Sequence, residues 1–341
     1  MRFKIITDFP EKELEQKWHN FLPDSTYPSH YTSPGFFAMP YWKGQNPFAV
    51  LVFDDEKIVG VACGLNENKQ IVSGLEVRPQ VAFAKGADEA EIAETMLEGL
   101  IELGGNEGEF ITLHSMKQID AFEDLGFKAK KAKGSFEVIM LDLSEGSGEI
   151  FKNFSQSRRS DIRKAIRQNK MQISQVETLE ELEELHKIHI AWCKTKEVEP
   201  DTWEEFVIAW EQKDYKRIFI VKAEGKIIAG SFFRFYKNAL VEYAANNSIP
   251  DFQSLRPNDL LVWKAIEWSC ENGFSHFSMG GSHLFLRRFG GNIATSYRYQ
   301  YDRTLFKKHA AKEAISGLAI KTYQSLPDST RQKIKKVLGR N

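Results

Sequence analysis

Cysteine, net charge and long apolar runs are all scarce in this sequence. Its 341 residues include three cysteines, Cys63, Cys193 and Cys270, which are far apart and form no CxxC pair. This usage predicts free, mostly buried thiols in a reducing compartment. No apolar run reaches the ~18 residues of a membrane span, and no leader-like apolar block follows Met1. We therefore expect a cytoplasmic protein, with a peripheral position at the inner face of a membrane as the other possibility.

The charge balance limits the partners of the chain. A net charge of −1 excludes a general nucleic-acid coat, and we expect no DNA binding. The charge is uneven, because residues 303–341 carry +8 and so leave −9 for the rest of the chain. Apolar content of 42% and charged content of 27% are ordinary for a soluble globular protein.

The length and an internal repeat predict two domains. A chain of 341 residues favours two domains over one. FAVLVFDDEKIVGVACG in the first half matches IFIVKAEGKIIAGSFF in the second, and Lys57 aligns with Lys226. A repeated supersecondary unit is a stronger fold signal than any single helix prediction. The predicted divisions are an N-terminal domain over 1–143, a linker at Asp142–Gly148, a C-terminal domain over 149–308 and a basic helical tail over 309–341.

Strand and helix signals follow one another in a definite order in residues 217–291. Apolar, β-branched periodicity predicts three strands, and an apolar stripe ended by Gly273 predicts a helix before a fourth strand. In chain order these elements are Ile218–Ala223, Ile227–Tyr236, Leu240–Ala245, Asn258–Asn272 and Phe277–Met279. In the first half, the predicted helix Ala87–Leu103 is the counterpart of Asn258–Asn272.

This order resembles the core of a GNAT-type acyltransferase. The motifs Pro-Asn-x-Leu-Leu-x-Trp-x-x-Ile-x-Trp, Asn-Gly-Phe, Met-Gly-Gly-Ser and Leu-x-Arg-Arg-Phe-Gly-Gly resemble the Fem-like branch of that superfamily. This branch contains the peptidoglycan cross-bridge aminoacyltransferases and their relatives. The resemblance covers most of residues 150–305. It implies an α/β (α+β) fold of two tandem GNAT-like domains, each a mixed, mostly antiparallel sheet flanked by helices.

The segment SQSRRSDIRKAIRQNK, residues 155–170, is the most charged predicted helix. Arg159, Arg163 and Arg167 share one stripe, and like charges at i,i+4 repel by about 0.2–0.5 kcal/mol unless an anion meets them. Arginine suits phosphate, although a solvated basic face explains the stripe as well. The resemblance implies that this region helps to bind a phosphate-bearing substrate, either small or lipid-linked. The predicted substrate-binding residues are Arg159, Arg163, Lys164, Asn258, Ser282, Arg287 and Arg288.

Three residues are candidates for the chemistry of amine acylation. The reaction needs a group that takes a proton from the amine and donors for the developing oxyanion. Glu242 and His283 are candidate bases and Tyr243 is a candidate acid, because each lies on a strand or strand end expected to face the cleft. The other interpretation is that Glu242 pairs with an arginine and that His283 is a loop residue.

The acyl donor stays open at this stage. GNAT enzymes that use acyl-CoA usually carry a Gln/Arg-x-x-Gly-x-Gly/Ala turn before the main helix, and its N–H groups hold pyrophosphate. The equivalent places read AKGADEAE and QSLRPNDL, so no cofactor is firmly implied and acyl-CoA is an alternative. Fem-like members often have a catalytic lysine where this chain has Leu286, and the neighbouring Arg287 cannot act as a base. No coiled-coil arm is predicted, so a charged transfer RNA also remains an open alternative.

These features predict a Fem-like N-acyl or aminoacyl transferase. It would act on an amine of a phosphate-bearing precursor, with the cell envelope as one source. Two alternatives remain, namely an acyl-CoA-dependent GNAT N-acyltransferase and a non-catalytic GNAT-fold binding protein.

An aromatic, proline-rich stretch near the N-terminus has two interpretations. Its prolines argue against long regular structure, which favours a loop wrapped over the first sheet. The functional interpretation is the aromatic wall of a substrate cleft, with stacking candidates Tyr31, Phe36, Phe37, Tyr41 and Trp42.

His186 and His189 lie three residues apart on the predicted helix Thr178–Lys194. Without a cysteine or carboxylate in register the pair is a weak metal signal, and packing at the edge of the core is favoured. No metal site is predicted.

The tail SLPDSTRQKIKKVLGRN has the pattern of a short basic amphipathic helix. Such a helix can lie on an anionic membrane, where each Lys or Arg contributes ~1 kcal/mol near the surface. Its apolar side holds three large residues, Ile334, Val337 and Leu338, so this contact would be weak and salt-sensitive. Docking of the tail on the second domain is the other interpretation.

Overall fold

The computed structural model describes residues 1–39, 44–75, 78–131 and 137–309, together with residues 311, 312, 315 and 322. The α-helices are α1 Lys12–Phe21, α2 Glu89–Gly104, α3 Ala121–Asp124, α4 Gly146–Asn153, α5 Gln156–Gln168, α6 Leu179–Lys196, α7 Trp203–Glu211, α8 Pro257–Glu271 and α9 Leu284–Arg287. The strands are β1 Arg2–Ile6, β2 Pro47–Asp54, β3 Lys57–Glu67, β4 Gln70–Ser73, β5 Val81–Phe83, β6 Phe110–Ser115, β7 Lys128–Lys131, β8 Glu137–Asp142, β9 Gln172–Gln175, β10 Lys216–Ala223, β11 Lys226–Tyr236, β12 Leu240–Ser248, β13 His276–Ser278, β14 Asn292–Thr295 and β15 Tyr297–Asp302.

The first sheet has the strand order β1-β2-β3-β4-β6-β15-β7, and β5 pairs with both β3 and β6. Its pairings are antiparallel except that β4 and β5 run parallel to β6. Helix α2 begins at Asp88, whose carboxylate accepts hydrogen bonds from the N–H groups of Ala90 and Glu91. Ile92, Met96 and Leu100 of α2 recur at helical spacing and are fully buried in the core over this sheet.

The second sheet has the strand order β14-β8-β13-β12-β11-β10-β9. The β12–β13 pairing is parallel and the other pairings are antiparallel. Alternate residues of its strands enter two separate cores, one under α6 and α7 and the other under α4, α5 and α8. Both sheets are therefore mixed and mostly antiparallel with flanking helices, which confirms the predicted fold class.

Each half of the chain contributes one strand to the sheet of the other half. β8 lies between β13 and β14 of the second sheet, and β15 lies between β6 and β7 of the first sheet. The predicted ranges 1–143 and 149–308 remain a prediction as domain assignments, but the sheets do not divide there. The predicted linker at 142–148 is also partly helical, because α4 already begins at Gly146.

The predicted repeat reappears in the backbone of the two hairpins. The β2–β3 pair has a bulge between Val52 and Phe53, and the β10–β11 pair has one between Val221 and Lys222. Both pairs of positions differ by the same 169 residues that separate Lys57 from Lys226. Bulges are specific features of a strand, so their equivalence supports two copies of one unit.

A shared apolar cluster joins the two halves of the protein. Trp18 of α1 and Phe36 from the turns after α1 are fully buried there, and Tyr236 and Leu240 of the second sheet belong to the same cluster. Almost all of the predicted tail 309–341 lies outside the described residues. Within the described part of the chain, no helix is both long enough and apolar enough to cross a membrane.

Candidate functional site

A cavity of about 520 Å³ opens between the two halves of the protein. The first half contributes residues from β3, β4 and the segments around them, and the second half contributes residues from α6, β10, β11 and β12. Its apolar walls include Met39, Leu65, Val72, Trp192 and Phe232. Its charged lining includes three cations, Arg78, Lys216 and Arg234, and two acids, Glu199 and Asp201. Concave sites of this size with few polar groups are typical of small-molecule binding.

Glu242 is buried beside this cavity, and neighbouring side chains bind one of its two carboxylate oxygens. Its Oε1 accepts a hydrogen bond of 2.5 Å from the Tyr31 hydroxyl and lies 3.5 Å from Nη1 of Arg234 and 3.4 Å from Nε of Arg78. Its Oε2 is buried and has no hydrogen-bond partner among the described residues. The predicted pairing with arginine therefore occurs, and it uses one of the two carboxylate oxygens.

The end of the β12–β13 pairing lies next to Glu242. The parallel ladder runs from Leu240 and His276 to Glu242 and Ser278, and β12 then continues to Ser248 without β13. Between the paired residues Phe232–Ala245 and Phe233–Tyr243, Ala244 is the extra residue of a bulge. A bulge leaves its extra residue outside the ladder, and Ala244 lines the cavity.

Lys216 is a site residue that the sequence analysis missed. It is 6% exposed, and its Nζ donates a hydrogen bond of 2.5 Å to Gln212 Oε1. Burial, with a further contribution from the charge of Arg234, lowers the pKa of Lys216 to about 7. In the sequence it stands among Lys213 and Arg217 at a turn, where nothing distinguishes it from a solvated cation.

Lys216→Met is expected to change the pH dependence of stability. The pKa is about 7 in the folded protein and about 10.4 in an unfolded chain, so between these values the unfolded chain binds more protons. The free energy of unfolding of the wild type then rises with pH relative to the variant, by at most about 1.4 kcal/mol per pH unit. Urea unfolding of both proteins at pH 7, 8.5 and 10 measures this difference. A difference that stays constant over this range would contradict the expectation.

The far end of the cavity is formed by a hydrogen-bonded chain on α6. The Asp201 N–H donates to His189 Nε2 at 2.9 Å, so the ring proton is on Nδ1 and donates to Asn247 Oδ1, also at 2.9 Å. Cys193 lies 3.5 Å from His189 Nε2. His186 bonds to the Asp201 carbonyl through Nε2 and packs on Phe206. The histidine pair thus lies in a polar edge of the core, as the structural interpretation predicts, and no metal-binding group of three such residues occurs in the described residues.

The structure separates the three predicted catalytic residues. Glu242 lies on the same sheet face as the cavity residue Arg234, its register partner, whereas the adjacent Tyr243 points to the opposite face of β12 and packs on Phe233 in the core under α8. Burial raises the pKa of the Tyr243 hydroxyl. His283 precedes α9 and is exposed, with its ring 6.2 Å from that of Phe285. The expectation that all three face one cleft is wrong. Glu242 and Tyr243 are neighbouring strand residues and so lie on opposite faces, and His283 lies outside the strands, before α9.

The basic stripe of α5 lies on the α8 side of the second sheet. Nη1 of Arg159 donates to the carbonyl oxygens of Lys152 and Phe154, and the guanidinium of Arg163 lies 5.3 Å from the ring centre of Phe151. Lys164 is exposed. No acidic side chain pairs with Arg159 or Arg163 in the described residues. Ile166 of the same helix is 48% exposed.

Arg158 is the buried arginine of α5, and it is not among the predicted site residues. It is fully buried, forms an ion pair with Asp259 of α8 and donates to the Phe285 carbonyl at 2.9 Å. Its guanidinium also lies over the rings of Phe285 and Phe289. Burial and the charge of Arg288 lower the pKa of Arg158 to about 10. Arg158 lies at helical spacing from Ile162 and Ala165, and this spacing predicts that it shares their buried face.

The other predicted substrate-binding residues surround the same end of α5 and α8. Asn258 donates to Ser248 Oγ at 3.1 Å, and Arg288 donates to Ser157 Oγ at 2.7 Å. Arg287 pairs with Glu137 at 3.1 Å and bonds to the Ser282 carbonyl. These residues lie at helix ends and turns around α5, α8 and α9, whereas the cavity lies on the α6 side.

The aromatic stretch contributes one residue to the cavity. Tyr31 lines it, Phe36 is fully buried in the shared cluster, and Phe37 packs against that cluster. Tyr41 and Trp42 lie outside the described residues.

Part of the chain matches a known protein family. Residues 153–301 match the family described as Acetyltransferase (GNAT) domain. No curated protein has a sequence that matches the chain. The match covers less than half of the chain, and the architecture described above agrees with it, so the chain has a fold of the GNAT type.

Several solved structures with low sequence identity share this fold. FemX has a TM-score of 0.70 at 14% identity, covering 89% of this chain and 97% of that chain. L-PGS from Bacillus licheniformis has a TM-score of 0.58 at 14% identity, covering 88% and 94%. A tandem GNAT protein from the clavulanic acid biosynthesis pathway has a TM-score of 0.54 at 8% identity, covering 89% and 99%. The chain therefore shares a tandem GNAT fold with FemX and these other proteins, which confirms the predicted resemblance at the level of the fold.

Proposed function

We propose that this protein is an N-acyl or aminoacyl transferase that modifies an amine on a phosphate-bearing precursor, such as a component of the cell envelope. The observation that carries the proposal is the free Oε2 of Glu242, a buried carboxylate oxygen beside a cavity. Buried polar atoms normally have a partner, so an unpartnered one at a cavity is a candidate contact for substrate. The similarity to FemX and to L-PGS, a lysyl-phosphatidylglycerol synthetase, supports the choice of substrate class.

Glu242 is better placed than His283 to act as the base. The substrate amine would give a proton to Oε2 while its nitrogen attacks the acyl carbonyl carbon. Tyr31 and Arg234 keep Oε1 occupied and so fix the orientation of the carboxylate. We assign the role of donor to the developing oxyanion to the backbone N–H at the Ala244 bulge, since Ala244 lines the cavity.

The acyl donor would approach from the α8 side of the second sheet. Tyr243 lies on that face in the packed core, where burial raises its pKa and makes it a weaker acid, so the leaving group would take up the proton that Glu242 removes from the amine. The N-terminus of α8 carries the acidic Asp259 in its first turn, already paired with Arg158. A carboxylate there opposes binding of pyrophosphate to the helix N-terminus. This favours an aminoacyl ester over acyl-CoA as the donor, with transfer RNA as one carrier.

We expect Arg159 and Arg163 to bind the substrate phosphate. Changing both to Gln removes two cations from an exposed stripe, so the protein stays folded while its affinity for phosphate ligands falls about tenfold or more, since each arginine–phosphate contact is a charge-assisted hydrogen bond. Calorimetry with uridine diphosphate and with short-chain phosphatidylglycerol measures the change. The matched control changes Lys187 and Lys194 of α6 to Gln. Equal affinity in all three proteins would refute this prediction.

A direct test of the function uses two donors and several acceptors. The purified protein is incubated with acetyl-CoA or with mixed aminoacyl-transfer RNA, and with phosphoethanolamine, phosphatidylethanolamine and a UDP-linked peptide precursor. Mass spectrometry would detect an acyl or aminoacyl group on an acceptor amine. If neither donor acylates any of these amines although the protein is folded, the proposed function is wrong.

A further inference from the structure

One row of side chains crosses three strands beside the cavity, and two of its members, Lys216 and Arg234, line the cavity. Lys216 of β10 pairs in register with Arg234 of β11, and Arg234 pairs in register with Glu242 of β12. Register partners on adjacent strands project from the same face of a sheet. Because neighbouring strands are 4.7–4.9 Å apart, Lys216 and Glu242 are separated by about 10 Å along this row. All three residues are less than 9% exposed.

This row carries more positive than negative charge. The row itself holds two cations, Lys216 and Arg234, and one carboxylate, Glu242, whose Oε1 pairs with Arg234. Lys216 has no ion pair in the part of the chain that the structure describes, and its Nζ donates a hydrogen bond to the neutral Gln212 side chain. The remaining neighbours are His30, held neutral because burial and the nearby cations lower its pKa, and the Tyr31 hydroxyl. Buried charge without a counter-charge is costly, so this end of the cavity is suited to an anion.

The other end of the same row is suited to an amine. Oε2 of Glu242 accepts no hydrogen bond from the described residues, although it is buried. An ammonium or amine nitrogen is the complementary donor for a carboxylate oxygen. A ligand that satisfies both ends needs an anionic group and an amine within about 10 Å of each other.

We propose that the acceptor is a small zwitterionic amine, whose anionic group binds at Lys216 and Arg234 and whose amine binds at Oε2 of Glu242. The inference rests on the proposed function for the transfer step, but the binding itself does not require that step. A carboxylate or a phosphate supplies the same oxyanion chemistry, and both an amino acid and an ethanolamine phosphate headgroup have the required spacing.

The far end of the cavity limits the size and charge of the acceptor. Glu199 and Asp201 line that end, which therefore disfavours a second anionic group there. The walls beyond the row are apolar, with Trp192 and Phe232, and can take the rest of a larger substrate. One anionic group near the amine, followed by an apolar or neutral part, fits this lining.

Three probes that share a two-carbon chain and an amine test the inference by calorimetry on the full chain. Ethanolamine has no anionic group, β-alanine has a carboxylate and phosphoethanolamine has a phosphate. We expect β-alanine or phosphoethanolamine to bind at least tenfold more tightly than ethanolamine, and the tighter of the two identifies the oxyanion. Equal binding of all three probes, or binding of none, would overturn the inference.

Variants of Lys216 then locate the anion. Lys216→Met should weaken binding of the preferred anionic probe at least tenfold at pH 6.5, whereas Lys216→Arg should retain it. The matched control is Lys222→Met, on the same strand and paired with Glu181 at the protein surface. Circular dichroism confirms that each variant is folded. Unchanged affinity in Lys216→Met would contradict the assignment.

The pH dependence of binding provides an independent readout. Because the pKa of Lys216 is about 7, its ammonium is lost as the pH rises through neutrality. The affinity of the wild type should therefore fall about tenfold per pH unit from pH 7 to 9, while that of Lys216→Arg stays level over this range. A level profile in the wild type would overturn the role of Lys216. If binding follows this pattern but no amine is acylated, the proposed function fails and the binding site stands.

Discussion

Asp259→Ala should lower the free energy of unfolding by about 3–5 kcal/mol, because it leaves Arg158 as a buried cation without a counter-charge. Arg158 is fully buried between two aromatic rings, so water cannot replace the lost carboxylate. Its remaining hydrogen bond to the Phe285 carbonyl compensates for little of that loss. Urea unfolding followed by tryptophan fluorescence measures the effect.

Two further variants separate the ion pair from the packing around it. Glu267→Ala removes the partly buried partner of Lys264, an ion pair near the surface of the same helix, and should cost less than about 1 kcal/mol. The double change of Arg158 to Met and Asp259 to Leu replaces the pair by apolar groups and should recover most of the lost stability. If Asp259→Ala costs no more than Glu267→Ala, the buried pair does not have the assigned role.

Glu242→Gln should reduce kcat for amine acylation by about 10²–10⁴-fold, the usual contribution of a general base. The amide that replaces the carboxylate cannot accept a proton from the substrate amine. The measurement is the rate of acyl transfer with the donor and acceptor identified by mass spectrometry. The variant also loses the counter-charge of Arg78 and Arg234, so its folding must be verified by circular dichroism at the assay temperature.

The matched control for this variant is Glu224→Gln. Glu224 lies in the turn between β10 and β11, away from the cavity, and the change should leave the rate within about twofold of the wild type. Tyr31→Phe is an intermediate case, because it removes the hydrogen bond that orients Glu242 but keeps the carboxylate. A Glu242→Gln rate equal to that of Glu224→Gln would remove Glu242 from the mechanism.

The repeat and most elements of the fold could be predicted from the sequence because they are local. Alternating apolar residues and a charged turn predict each hairpin. When the two copies are aligned on Lys57 and Lys226, their bulges fall at equivalent positions. The exchange of β8 and β15 could not be predicted in this way. The pattern of a strand predicts which of its faces is buried, but not which of two similar sheets it joins.

The site could be predicted in part for a similar reason. Glu242 was identified from its position in the strand that follows the second hairpin, and its pairing with arginine was one of the two interpretations. Tyr243 lies on the same strand and was expected to face the same cleft, but residues that are adjacent on a strand project to opposite faces. Lys216 and Arg78 reach the cavity from distant parts of the chain, and Asn247 becomes a cavity residue through its contact with α6. Such contacts depend on tertiary structure, which no local pattern encodes.

The exchanged strands also set the order in which the protein can complete its structure during synthesis. Strand β6 and the short β7 are on opposite sides of β15, so neither has its final neighbour until Tyr297–Asp302 have left the ribosome. Until then the first-made sheet keeps an open edge, which is a template for wrong pairing with other chains. The last strand among the described residues thus completes the first sheet. A ribosome that stalls before Tyr297 would release a chain whose N-terminal half is as incomplete as its C-terminal half.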